Sequence, residues 1–200
     1  MQVQKEEVRD AIIEKATIEF VNQGFEKASI RKIVKEAGTT IGNFYNYFKS
    51  KEEVFYTITT PVYQNFIELI KNHKEDEVAK KYSQLPMNEE VLRHGLTEVL
   101  RKYSKAFDIA LVILIDGSKG TKYENIKQEL IEVLSMHFKE HLENDSKLFT
   151  GSYNQYFAHA VAAGFLEGVL DILRSNYTTN EKKELVIEYI LFLINSLFSY

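Results

Sequence analysis

Residues 29–51 read SIRKIVKEAGTTIGNFYNYFKSK, and two short apolar periodicities meet there at a glycine. Ile30, Ile33, Val34 and Ala37 recur at i, i+3, i+4 and i+7, which is the spacing of one face of a short helix. Gly38 can take the left-handed conformation that ends such a helix, and beyond it Ile41, Phe44, Tyr45 and Phe48 repeat the spacing. Helix, tight turn, helix is therefore expected. Helices this short are marginal alone in water, so they need a third element to pack on, with Phe44 and Phe48 as buried anchors. Such a unit is a helix-turn-helix, whose second helix is shaped to enter the major groove of DNA.

Working outward, a first helix is expected from about Lys5 to Gln23, with Ile13, Ala16 and Phe20 on one face and Gly24-Phe25 as a glycine cap with its hydrophobic contact. Ser29 reads as the N-cap of the second helix, whose exposed start is an anion site suited to a phosphate. On the other side, Ser50 and Glu53 form a capping box that opens a fourth helix, with Glu53 reaching back to Ser50, and Lys51 can add its ammonium to a phosphate. Thr59, Thr60 and Pro61 interrupt that helix, because proline removes a backbone bond and clashes with the preceding turn. A kink or break is expected there.

The second helix of the motif holds the candidate base-reading side chains. Thr40 stands at its start, where a hydroxyl caps the helix or bonds a phosphate or base edge. Asn43 points away from the Phe44 and Phe48 face, and its amide suits the two-bond contact to adenine N6 and N7. Tyr45 and Tyr47 offer phenolic hydroxyls to phosphates. Phosphate contacts set register, so sequence choice falls to side chains such as Thr40 and Asn43 that can reach base edges.

The composition agrees. Residues 1–51 carry nine Lys and Arg against seven Asp and Glu, whereas the whole chain has a formal net charge of −4, so the positive surplus lies where DNA contact is expected. The chain has no cysteine, which excludes disulfides and cysteine-ligated metals. MQVQKEEVRD at the N-terminus has no apolar signal segment, and runs such as Ala110 to Ile115 are short for a bilayer, so a soluble cytoplasmic protein is expected. Two prolines and nine glycines in 200 residues favour long helices.

From Arg9 to Phe55 the chain resembles the N-terminal domain of the TetR family of bacterial transcriptional regulators. The resemblance rests on Ile12, Ile13, Ala16, Phe20, Gly24 and Phe25, then Ser29, Ile30, Ile33 and Ala37, then Gly38, Gly42, Phe44, Tyr45, Phe48, Ser50, Lys51 and Glu52. The family usually has an aliphatic residue where Thr39 stands and often a histidine where Tyr47 stands. The resemblance implies an all-α fold: an N-terminal three-helix helix-turn-helix domain over 1–51 and, over 52–200, a helical bundle for effector binding and dimerisation. It places Ser29 and Arg31 against DNA; read without it, they are a cap and a solvated arginine. Ile41 has two readings, since periodicity groups it with the core whereas the resemblance exposes it to a thymine methyl. For the whole chain the resemblance implies a ligand-responsive repressor, without cofactor, that binds a palindromic double-stranded DNA operator as a homodimer.

Beyond Pro61 the pattern predicts helices at about 61–73, 88–105, 107–115, 122–144, 153–176 and 179–199, with loops near Gln84 to Asn88 and at Asp116 to Thr121. The latter has two glycines beside a lysine but lacks the phosphate-loop spacing and a preceding strand. Residues 185–198 are apolar nearly all round, so a face is left for a second subunit, and Ala160, Gly164 and Gly168 permit close helix approach either there or within the monomer. The resemblance makes these two last helices a dimer interface and puts a small apolar or amphipathic effector inside the bundle. Tyr103, Phe107, Leu111, Met136, Tyr156 and Phe157 would supply its apolar surface and Asp108 and His137 its polar contacts; ordinary core, a helix cap and solvated histidines are the plainer readings. Two other functions fit parts of the chain. His137, Glu140 and His141 spell H-x-x-E-H, the pattern of a metal-dependent hydrolase, and a DNA-binding protein without an effector needs only the N-terminal motif.

Overall fold

The computed structural model describes residues 2–72, 89–145 and 155–198. Among these residues the only regular structure is helical. In chain order they form α1 (Gln2–Lys27), α2 (Ile30–Glu36), α3 (Ile41–Phe44), α4 (Lys51–Asn72), α5 (Glu89–Lys102), a 3-10 turn (Ser104–Phe107), α6 (Ile109–Asp116), α7 (Ile126–Asp145), α8 (Gln155–Arg174) and α9 (Thr179–Phe198). The loop expected near Gln84 to Asn88 lies outside the described residues.

The chain divides into two compact units, one of residues 1–63 and 109–126, the other of 64–108 and 127–200. The first unit is organised by α1. Ile12, Ala16 and Phe20 are fully buried on its inner stripe, where Phe20 meets Phe55 of α4 edge-on at 5.2 Å. Gly24 interrupts α1 with φ 68° and ψ 171°, so the glycine stop expected after Gln23 is present, and one further short turn to Lys27 follows it. That kink swings Phe25 onto Phe55, at 5.2 Å. It also lets the backbone of Gly117, just after α6, come within 3.5 Å of where a Cβ of Gly24 would stand. The Phe25 N–H donates to the Gly117 carbonyl at 2.8 Å. α6 is buried at every position from Ala110 to Ile115, which explains a run without helical periodicity.

Pro61 does not break α4: the helix runs from Lys51 through Asn72 with the proline inside it. Hydroxyls bond backbone carbonyls in the turn before the proline, Thr57 to Glu53 at 2.7 Å and Thr59 to Phe55 at 2.8 Å. The proline itself leaves the Thr57 carbonyl, four residues back, without its helical donor.

In the second unit α9 packs on both α8 and α5. Ala158, Ala162, Leu166, Val169 and Leu170 form the buried stripe of α8, and Val186, Ile187 and Leu191 that of α9. The small residues of α8 have distinct uses. At Gly168 a Cβ would stand 2.5 Å from the Tyr189 ring, so that glycine makes room within the monomer. Tyr189 stacks on Phe165 at 6.0 Å and donates its hydroxyl to the Gly164 carbonyl at 2.9 Å. The missing Cβ of Gly164, by contrast, faces open space. By length and composition α8 could span a bilayer, which the count of uninterrupted apolar residues did not anticipate. Its stripe is nonetheless covered by protein.

Candidate nucleic-acid interface

The geometry begins with a buried carboxylate. Glu19 is only 3% exposed on the inner stripe of α1, and its two oxygens accept from the Ser29 N–H at 3.2 Å and from the Lys32 ammonium at 2.6 Å. That hydrogen bond is the main cause of the raised pKa of Lys32. Ser29 in turn accepts from the Lys32 N–H at 3.4 Å, as the N-cap reading requires. The start of α2 is therefore fixed to α1 through hydrogen bonds as well as through buried Ile33 and Val34.

The glycine turn has full Schellman geometry. The Gly38 N–H donates to the Lys35 carbonyl at 3.2 Å and the Thr39 N–H to Val34 at 2.9 Å, with Gly38 at φ 65°. Thr40 then takes an extended conformation and accepts from the Asn43 N–H at 3.1 Å, capping α3. The two elements are thus closed and opened by their own residues within four positions.

Regular α-helix after Thr40 is shorter than the spacing predicted, covering Ile41–Phe44 only. The chain continues to Phe48 with mixed bonds, Asn46 to the Asn43 carbonyl at 3.0 Å and Phe48 to Phe44 at 3.0 Å. Tightening the turn separates the four apolar residues. Phe44 and Phe48 are buried, with rings 5.7 Å apart, whereas Ile41 is 41% and Tyr45 54% exposed. Of the two readings of Ile41, the exposed one holds in this structure.

Asn43 is half-buried and its amide is already oriented. It donates to the Thr39 hydroxyl at 2.7 Å and accepts from the Asn46 amide at 3.3 Å. A primary amide has two hydrogens and two acceptor sites, so one of each remains for a base edge. Thr40, Tyr45 and Arg31 are exposed, Ser29 and Tyr47 half-buried, and Arg31 makes no ion pair with a described residue. Gly42 beside them is exposed, with nothing nearer than Thr40 Oγ1 at 4.0 Å from a Cβ position.

Lys51 is differently placed from the open phosphate ligand that the sequence suggests. Its ammonium donates to the carbonyls of Ala28 at 3.0 Å and Glu26 at 3.2 Å and lies 4.6 Å from the Phe25 ring centroid. Desolvation there lowers its pKa. The capping box is also offset: Ser50 accepts from the Glu53 N–H at 3.2 Å, but Glu53 reaches the Lys49 N–H, at 2.5 Å, rather than that of Ser50.

The residues expected around an effector are spread over different environments. Tyr103, Phe107 and Leu111 are buried. Asp108 is exposed, in extended conformation immediately before α6, and His137 is half-buried. Met136, Tyr156 and Phe157 do not line a bundle interior: they are 61%, 85% and 39% exposed. The helical period explains this, since Met136 and Tyr156 each stand two residues from a buried stripe position, Leu134 and Ala158, which is roughly half a turn away. The His137 and His141 rings lie 4.7 Å apart on α7, while Glu140 is exposed. Among the described residues no group of three His, Cys, Asp or Glu is arranged to hold a metal.

Glu19, Lys32, Thr39 and Asn46 are the positioning residues that the sequence reading passed over. Glu19 had a visible signal, a carboxylate at the i+3 position from Ala16 inside the apolar stripe. Thr39 had another, a hydroxyl where the resembling family usually carries an aliphatic side chain.

Comparison with known proteins locates the same segment. Residues 12–57 match the family model described as bacterial regulatory proteins, tetR family. The chain is 25% identical over 181 residues to the uncharacterized HTH-type transcriptional regulator YdgC of Bacillus subtilis (strain 168), covering 86% of this chain and 81% of that one. Among solved structures it is similar to a transcriptional regulator from Aquifex aeolicus VF5, with 25% identity, 93% and 99% of the two chains covered and a TM-score of 0.48. It is also similar to NalD, the secondary repressor of the MexAB-OprM multidrug efflux pump in Pseudomonas aeruginosa, with 19% identity, 95% and 96% covered and a TM-score of 0.48.

Proposed function

We propose that this chain, a DNA-binding transcriptional regulator of the TetR family, acts as a homodimeric repressor released from a palindromic operator by a small apolar or amphipathic molecule. As a member of that family it is a regulator and not a hydrolase, so the paired histidines of α7 carry no catalytic assignment. We assign DNA recognition to residues 1–51 and effector binding and dimerisation to 52–200, in the cytoplasm.

The observation that carries the reading is the edge of α2, its turn and α3: exposed Arg31, Thr40, Ile41 and Tyr45 with half-buried Asn43 among them, held out by buried Ile33, Val34, Phe44 and Phe48. Thr40, Ile41 and Asn43, with Arg31, would read bases, and Ser29, Tyr45 and Tyr47 would hold phosphates. Two carbonyls already take donors of the Lys51 ammonium, which leaves one N–H for a phosphate. Apolar side chains outside the covered stripe of α9, Leu185 and Phe192, and the open side of Ala160 and Gly164 on α8 support a second copy of the chain as their cover.

Selection of bound duplexes from a randomised pool, followed by footprinting, tests the proposal. Two inverted half-sites, one for each recognition helix, are expected. Failure to retain any duplex at low salt overturns it.

A further inference from the structure

α5 and α9 run antiparallel, and the seam between them changes character along its length. At one end Arg93 is matched by Glu188, which accepts from both of its terminal nitrogens. At the other end the two helices and the 3-10 turn part to leave a half-open groove of about 220 Å³. Its floor is apolar, formed by Leu100, Phe107, Val186 and Ile187. Arg101, Lys183 and Glu184 stand on its walls with the hydroxyls of Thr97 and Ser104. Neither Arg101 nor Lys183 makes an ion pair with a described residue, in contrast to Arg93 a few turns away. The walls therefore carry two cations and one carboxylate around an apolar floor.

We propose that this groove binds a small organic monoanion, an apolar ring or short chain bearing a carboxylate, with the apolar part on Phe107 and Ile187 and the carboxylate between Arg101 and Lys183. The size fits: a dry cavity of about 150 Å³ holds benzene, so the groove accepts a ring together with its acid group. The charge fits as well, since one carboxylate neutralises the surplus, and a guanidinium grips both of its oxygens in parallel. Of the residues that the sequence associates with an effector, only Phe107 lines the groove. This inference rests on the effector part of the function proposed above and names the chemical class and the place.

Benzoate and its neutral isostere benzamide, titrated into the full-length protein and followed by ligand-observed NMR, test it. Benzoate is expected to bind at least tenfold more tightly than benzamide. The double variant Arg101→Gln, Lys183→Gln should bind both equally, and Lys71→Gln, an exposed lysine outside the groove, should keep the preference. Both groove substitutions are at exposed positions, and an unchanged thermal transition confirms that the variant is folded. Equal binding of the two compounds by the unmodified protein, absence of binding, or a preference that survives in the double variant overturns the inference. Retention of duplex DNA by the same preparations is scored separately. Its loss counts against the regulator reading alone, and loss of the benzoate preference with DNA retained counts against the groove alone.

Discussion

Thr39 holds the side chain of Asn43 in place, its hydroxyl accepting from the amide at 2.7 Å across the turn that separates α2 from α3. The amide proposed to face a base edge is thus oriented in the free protein, and its rotamer need not be ordered on binding. Thr39→Val keeps the shape and removes the acceptor. Folding stability should change by less than about 1.5 kcal/mol, while the preference for the selected operator over single-base variants falls. Asn43→Ala should go further, losing about 1–3 kcal/mol of discrimination at one base pair. Binding titrations against a panel of single-base operator variants measure both; equal loss on specific and random duplexes would contradict the role given to Asn43.

Lys51 joins the end of α1 to the start of α4 through two carbonyl bonds and the Phe25 ring. Lys51→Met preserves much of the stem and removes the donors, and it should cost about 1–2 kcal/mol of stability. The slope of log affinity against log salt should stay the same, because the ammonium is held at the backbone of Glu26 and Ala28 and is expected to remain there rather than meet a phosphate. A slope reduced by about one unit with unaltered stability would instead make Lys51 a phosphate ligand.

Two glycines one turn apart on α8 should respond oppositely to alanine. Gly168→Ala drives a methyl into the Tyr189 ring and is expected to destabilise by about 1–3 kcal/mol. Gly164→Ala meets no atom within 4 Å and in the isolated subunit should gain the ordinary helix preference of alanine, about 0.5–1 kcal/mol. Urea unfolding of each variant gives the sign. Sedimentation of Gly164→Ala then reads the proposed dimer, where a new methyl at a close helix contact weakens association.

Acid should loosen the second unit through its paired carboxylates. Hydrogen bonds from Lys127 and Arg174 lower the pKa of Glu167, and one from Arg93 lowers that of Glu188, both from an ordinary value of 4.5. A folded-state pKa below the unfolded one contributes stability above pH 4.5 and loses it as pH falls through the depressed value. Urea midpoints should therefore fall between pH 5 and pH 3, and Glu167→Gln should flatten that fall. An identical pH profile in the variant would show that its ion pairs are too well solvated to matter.

The helices and their order were legible because each capping residue sits beside an apolar period: Ser29 before Ile30, Thr40 before Ile41, Gly38 between them. Polar bonds across a turn were not, since nothing in a 3.6-residue period reveals that Thr39 and Asn43 touch or that Lys51 bends back to Ala28. The exposed aromatic residues misled for another reason. Composition records that Tyr156 is apolar, but only its register relative to Ala158 tells which way it faces.

The contact of Gly24 with Gly117 means that the first unit is stitched from two stretches nearly a hundred residues apart in sequence. A fragment cut after Tyr63 would strip away the backbone that caps Phe25 and lay bare the side of α1 beside Phe20. Transplanting this unit onto a foreign protein therefore requires carrying the 109–126 segment with it, and neither glycine can be exchanged freely: a side chain at Gly24 would strain its φ of 68°, and one at Gly117 would crowd the Ile113 carbonyl at 2.9 Å.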